Sequence, residues 1–410
     1  MFKGWADFSA VTGAFRNRNF AIYTTGNIFS HTGLWVQRLA VGWLSWTLTE
    51  SAFWVAAVAF ADLFPVVVLG PFGGVLADRI DRLKVVVFCQ SLSVVQSLLL
   101  FSFVYFDMIT IELLFALALF QGAVGGFNQP ARQSLIPSLV KKEDLTSAVA
   151  INSIIFNVAR FIGPAIAGVV IAAYGLAPAF AINAVSYLCV IFALLIMNLP
   201  PREPSTGRQL TILGDMLLGF RYTTRHATIG PLILLSLAMS LLVRPMNELL
   251  PAATELLFAA GAGGLAMLTA ARGVGATIAG LVLAKRHNID GLAARVVFSA
   301  LLSVISVFVF IATEFLWVGV FALVVFGYAM TSSGVGTMTM IQVKVDNRVR
   351  GRVLSFNGLI NRGVPALGGV VMGWVADRAG LYWPLAAGAG LCFVVFLIAM
   401  RWERRSRDSS

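Results

Sequence analysis

Long apolar runs, broken at near-regular intervals by short polar stretches, dominate this chain of 410 residues. A helix that crosses the hydrocarbon of a bilayer needs about 20 consecutive, mostly apolar residues, and the runs reach that length repeatedly. They predict helices over residues 19–46, 52–77, 84–106, 108–129, 146–173 and 176–198, then over 228–252, 258–284, 292–313, 315–342, 353–377 and 382–402. The pattern is that of an all-α membrane protein with twelve transmembrane helices. The opening "MFKGWADFSAVTGAFRNRNF" reads as an interfacial approach helix. The first apolar run is too long, and too far along the chain, for a cleaved signal peptide.

The polar breaks are not equal. "PPREPSTGRQL", Pro200 to Leu210, opens a polar interval running to about His226 and divides the helices six and six. This gives an N-terminal six-helix bundle over 1–198, a cytoplasmic linker over 199–227 and a C-terminal six-helix bundle over 228–410. The halves echo one another. "PAIAGVV" from Pro164 and "PALGGVV" from Pro365 agree at five of seven positions, 201 residues apart, in helices 5 and 11. "GGVLADR" from Gly73, ending helix 2, returns as "GLVLAKR" from Gly280, ending helix 8. Parallel six-helix repeats with a substrate site at their interface are a known plan of secondary transporters.

Composition agrees with lipid as the solvent: 59% of residues are hydrophobic and 12% charged, against about 25% charged in soluble domains. The net charge of +11 raises nucleic acid as a partner, and its placement removes that reading. The N-terminus, the loops after helices 2, 4, 6, 8 and 10 (Arg132 among them) and the C-terminal tail hold 24 of the 30 basic residues. Basic residues gather on the cytoplasmic side of membrane proteins, so the charge reports topology: both termini inside, in the inner membrane. Cys89, Cys189 and Cys392 fall singly within apolar runs, and the three histidines make no metal-ligand spacing. No phosphate-loop motif, H-E-x-x-H or G-x-S-x-G is present, so neither an enzyme nor a resident cofactor or metal is expected.

Charge inside the bilayer costs about 2.5–3.5 kcal/mol on insertion scales and marks function by default. Asp62, Arg38, Arg160, Arg244, Glu248, Arg272 and Arg362 are therefore the candidates for substrate binding or coupling. Arg38 and Asp62 each lie 12 residues from the turn at Glu50, about 18 Å deep on adjacent helices. They form either a fixed ion pair or a pair that opens when Asp62 takes a proton. Arg244 and Glu248 are expected on one face of helix 7 at i, i+4, able to neutralise each other. Arg160, Arg272 and Arg362 fall midway along helices 5, 8 and 11. The excess of arginine favours an anionic or multiply hydroxylated substrate, because guanidinium groups bind carboxylates bidentately. Gly163, Pro164, Gly168, Pro365, Gly369 and Gly373 are the expected helix-packing positions, small residues letting membrane helices approach closely.

The loop after helix 2 resembles the signature of the major facilitator superfamily at Gly74, Leu76, Asp78, Arg79, Arg82 and Lys84, with Asp81 where glycine is commoner. The stretches from Asn128 to Gly168 and from Gly351 to Gly369 are similar to its secretion-effector branch, which groups enterobactin-exporter-like and macrolide-efflux-like proteins. The resemblance implies a monomeric transporter without cofactor: a proton-coupled exporter of a small amphipathic molecule, with anionic, siderophore-like or drug-like cargo as candidates, working by alternating access, with a lipid flippase or uncoupled facilitator as the other reading. It also implies that Gly74, Asp78, Arg79 and Arg82 form a cytoplasmic latch, Asp78 meeting the start of a helix in the other half. Drug antiporters of the superfamily often carry an arginine three residues before the Gln-Gly of helix 4; here, before Gln121 and Gly122, that position is Ala118.

Overall fold

The computed structural model describes residues 13–197, 221–223, 226, 229–284 and 291–408. Among the described residues the first half holds six α-helices: α1 (Arg18–Thr49), α2 (Ala52–Arg79), α3 (Arg82–Tyr105), α4 (Ile111–Leu139), α5 (Leu145–Tyr174) and α6 (Ala177–Leu195). The second half holds α7a (Ile229–Leu242), α7b (Leu250–Phe258), α8 (Gly261–Ala284), α9 (Leu292–Ile311), α10 (Leu316–Lys344), α11a (Asn347–Arg362), α11b (Val364–Ala379) and α12 (Tyr382–Asp408). Among the described residues eleven stretches are long and apolar enough to cross a membrane; α1, 32 residues long, is not among them by hydropathy. The linker expected over 199–227 lies outside the described residues, apart from 221–223 and His226.

Three elements differ from the sequence reading. α4 runs to Leu139 through Pro130 and Pro137, ten residues beyond its expected end, so Arg132 lies inside a helix and not in a loop. Proline need not end a helix inside a membrane bundle. The seventh helix, expected to be continuous, breaks into a 3₁₀ turn at Arg244–Asn247. Pro245 has no N–H for the Leu241 carbonyl and Pro251 none for that of Asn247. Arg244 opens this turn and Glu248 follows it, so the two residues expected on one face of a continuous helix lie at its break instead. The eleventh helix is also interrupted, at Gly363, and Arg362 ends α11a as an exposed residue.

Grouped by contact, the chain falls into two units: Met1–Val41 with Phe64–Arg208, and Gly42–Leu63 with Gln209–Ser410. The α1–α2 hairpin tip thus groups with the helices of the second half.

In the first unit a buried polar hub joins four helices. Gln37 of α1 donates to the Gln96 side chain (2.9 Å) and accepts from Ser97 (2.8 Å) and Asn183 (2.9 Å). Gln96 donates onward to the Leu117 carbonyl of α4 at 3.3 Å. Satisfied networks of this kind fix one packing, since each unmade bond would strand a desolvated group. Between α2 and α4, Gly73 lies against the Gly126 carbonyl, and a Cβ on Gly126 would come within 2.8 Å of Leu69 Cβ. The second unit repeats the device between α8 and α10, where Gly275 meets the Val324 carbonyl and Gly327 the Arg272 carbonyl. Gly126 and Gly327 are 201 positions apart, the spacing that relates Pro164 to Pro365.

Candidate functional site

α1 and α5 of the first unit run side by side in one direction, and their paired positions share a spacing. Asn27 donates to Asn152 at 2.9 Å. One turn on, the ring of His31 stands edge-on to Phe156, centroids 5.4 Å apart. One turn further, Trp35 meets Phe156 at 6.1 Å and the Arg160 guanidinium at 5.7 Å. Gly163 closes the series: a Cβ there would stand 2.5 Å from Trp35 Cβ, so only glycine lets α5 approach this closely. Positions 27, 31, 35 and 38 on α1 and 152, 156, 160 and 163 on α5 step in the same way, by one turn at a time, so both helices present one face throughout.

The guanidinium of Arg38 lies 5.3 Å from the same Trp35 ring. Two cations therefore flank one indole, at a range where the ring quadrupole attracts them by about 0.5–2 kcal/mol each. A guanidinium group is a planar fork of donors, which favours bidentate capture of carboxylate or catecholate oxygens. The Trp35 Nε1 and His31 Nδ1 atoms are buried and make no hydrogen bond among the described residues. Arg132 of α4 acts electrostatically on His31, adding a third cation to this side of the unit. Pro164 leaves the Arg160 carbonyl without its helical donor, so backbone as well as side chain is polar here.

The second unit carries a related arrangement at its paired breaks. Arg244 donates to the Asn361 carbonyl at 2.7 Å and to its side-chain oxygen at 3.1 Å. That carbonyl is the one Pro365 cannot serve. Asn361 in turn donates to Ser236 at 3.3 Å and to the Asn357 carbonyl at 2.8 Å. Gly368 of α11b packs on the Leu241 carbonyl, the group orphaned by Pro245. Discontinuous helices with freed backbone are where membrane transporters build binding sites. Glu248 follows the break and runs beside Gly369. Arg272 is buried in α8, at 8% exposure.

Asp62 is half-buried in α2; by contact it groups with the second unit and Arg38 with the first. Gly74 faces open space, Arg79 is exposed, and the Asp78 side chain lies outside the described residues. Arg82 staples the α2–α3 turn, donating to the Ala77 carbonyl at 3.3 Å and to the Ser134 carbonyl of α4 at 2.5 Å. Asp81, the departure from the family signature, caps α3 by accepting from the Leu83 N–H at 2.9 Å. Gly168 and Pro365 are buried in helix contacts. Sequence reasoning missed His31, Trp35, Arg132, Phe156 and Asn361; the shared spacing along α1 and α5 is the signal that marks three of them.

Comparison with known proteins places this geometry. The chain is 28% identical over 360 residues to the staphyloferrin A transporter of Staphylococcus aureus, covering 85% of this chain and 87% of that one. It is 25% identical over 371 residues to the enterobactin exporter EntS of Escherichia coli, covering 89% and 85%. Among solved structures, a bacterial homologue of the iron transporter ferroportin in an inward-facing state superposes with a TM-score of 0.70 at 18% identity, over 94% of this chain and 98% of that one. Residues 9–410 match the sequence pattern of the transmembrane secretion effectors. With its helical architecture and major facilitator neighbours, the chain belongs to the transmembrane secretion effector family of the major facilitator superfamily.

Proposed function

We propose that this membrane transporter exports an anionic, multiply hydroxylated or carboxylate-bearing chelator of the siderophore type. The observation that carries the reading is the pair of guanidinium groups, Arg38 and Arg160, on one indole in the first unit. An aromatic ring with two guanidinium groups beside it suits a ligand that combines negative charge with a flat or ring-bearing body. Two relatives whose names specify siderophores, a staphyloferrin and enterobactin, support the same class. The cycle we propose is alternating access between two six-helix bundles, with the basic loops in the cytoplasm and export driven by protons. Asp62, a carboxylate within a spanning helix, is the coupling group in this reading, and Asp78 the cytoplasmic latch.

The coupling half is tested in liposomes holding the purified protein and an internal pH dye. A citrate-type or catechol-bearing compound added across an imposed proton gradient is expected to evoke proton flux that Asp62→Asn abolishes while the protein stays folded. Undiminished flux in that variant would make Asp62 a structural residue.

A further inference from the structure

The first turn of α2 is closed by a residue 325 positions away. Asp377, on the last turn of α11b, accepts from the Ala52 N–H at 2.7 Å, from the Phe53 N–H at 3.3 Å and from the Ser51 hydroxyl at 2.5 Å. Ser51 completes the cap by accepting from the Trp54 N–H at 3.2 Å. The neighbouring base is turned elsewhere: the Arg378 guanidinium lies 3.8 Å from the Trp374 ring and donates to the Trp374 carbonyl at 3.1 Å. The carboxylate therefore answers the α2 N-terminus, where the helix dipole and free N–H groups favour negative charge.

The contact has a built seat. Gly369, Gly373 and Asp377 follow at four-residue steps, one face of α11b. A Cβ on Gly373 would stand 2.6 Å from the Ala52 carbonyl oxygen, and one on Gly369 3.8 Å from Ala56. The first two turns of α2 thus lie in a groove of glycines with the carboxylate at its end. This explains why the hairpin tip Gly42–Leu63 groups with the second unit. Yet α1 and α2 are continuous helices that run on from that tip into the first unit.

We infer that Asp377 is a positioning residue of the transport cycle: by capping α2 it clamps the α1–α2 tip to α11b, and its release is the step that opens the end of the protein opposite the basic loops. A contact formed in one arrangement and absent from another shifts their populations. The sequence carries the same ending twice, Ala77-Asp78-Arg79 on α2 and Ala376-Asp377-Arg378 on α11b.

The test needs neither substrate nor proton gradient, so it stands apart from the proposed export. Spin labels are placed at the exposed turn residues Asp107 and Glu314 in a full-length background with the three cysteines replaced, and the distance distribution is read by double electron–electron resonance in nanodiscs. Asp377→Ala is expected to raise the longer-distance population relative to the shorter by about tenfold, since bonds to a charged acceptor are lost, and Asp377→Glu to restore most of the wild-type distribution. Gly373→Ala, which fills the groove and leaves the carboxylate in place, is expected to shift it the same way and serves where Asp377→Ala does not fold. Lowered thermal stability in these variants with an unchanged distribution would make Asp377 a helix cap alone and overturn the inference.

Discussion

The guanidinium of Arg244 reaches the Asn361 carbonyl at 2.7 Å, and that carbonyl is free because Pro365, four residues on, has no N–H to give it. Two proline breaks, at Pro245 and Pro365, thereby face each other across α7 and α11, each exposing a carbonyl to the partner helix. If this is why the breaks coexist, their energetics are coupled. Arg244→Met strands the carbonyl and is expected to cost about 1–3 kcal/mol. Pro365→Ala supplies the missing donor, so the double variant should recover part of that loss. Thermal unfolding of the four proteins in one detergent checks this; strictly additive effects would dissociate the arginine from the proline.

The glycine contacts make a sharper pair of expectations. Gly327 sits on the Arg272 backbone, whereas Gly334, two turns along the same helix, has nothing within 4 Å of a would-be Cβ. Gly327→Ala must push α10 from α8, an overpacking cost of about 1–3 kcal/mol. Gly334→Ala should be neutral or stabilise by up to about 1 kcal/mol through helix propensity. Unfolding midpoints of the two variants that move together would contradict the packing account.

At the head of α7a, His226 Nδ1 accepts from the Ile229 N–H at 3.2 Å. Burial, and then the Lys344 charge, lower its pKa from the ordinary value. The native state therefore resists a proton that the unfolded chain accepts near pH 6.5. The cap's contribution is fully present above that pH and is lost as pH falls below it. His226→Asn keeps an acceptor at the cap without titrating. Wild type should lose thermal stability relative to this variant between pH 7.5 and 5.5, and parallel curves would exclude the histidine as their cause.

The helices were legible because lipid imposes one rule on every segment: apolar length. That rule located the eleven spans apolar enough to cross, most to within a few residues, and the 201-residue echo between Pro164 and Pro365 reappears in the α2–α4 and α8–α10 glycine crossings. What periodicity could not convey was where a helix stops being regular. Pro130 and Pro137 leave α4 intact, whereas Pro245 and Pro251 break α7. The proline alone does not decide the outcome; the packing around it does, which is tertiary information. The charged residues stood out individually, yet their partners did not, because Trp35 and Phe156 resemble any aromatic core residue until α1 and α5 are laid together. Asp377 was hidden differently. It lies at a helix end, where an acid looks like ordinary solvated surface.

The central claim is that Arg38, Trp35 and Arg160 recognise an anionic substrate, and substrate-concentration series in proteoliposomes test it most directly. Transport of a tricarboxylate or catecholate chelator and of a cationic dye would be compared in wild type, Arg160→Gln and Trp35→Leu. The account predicts that wild type moves the anion, that Arg160→Gln raises its KM about tenfold through loss of a charge-assisted contact, and that Trp35→Leu does likewise by releasing both guanidinium groups. Preference for the cationic dye in wild type, or an anion KM unchanged in both folded variants, would contradict it.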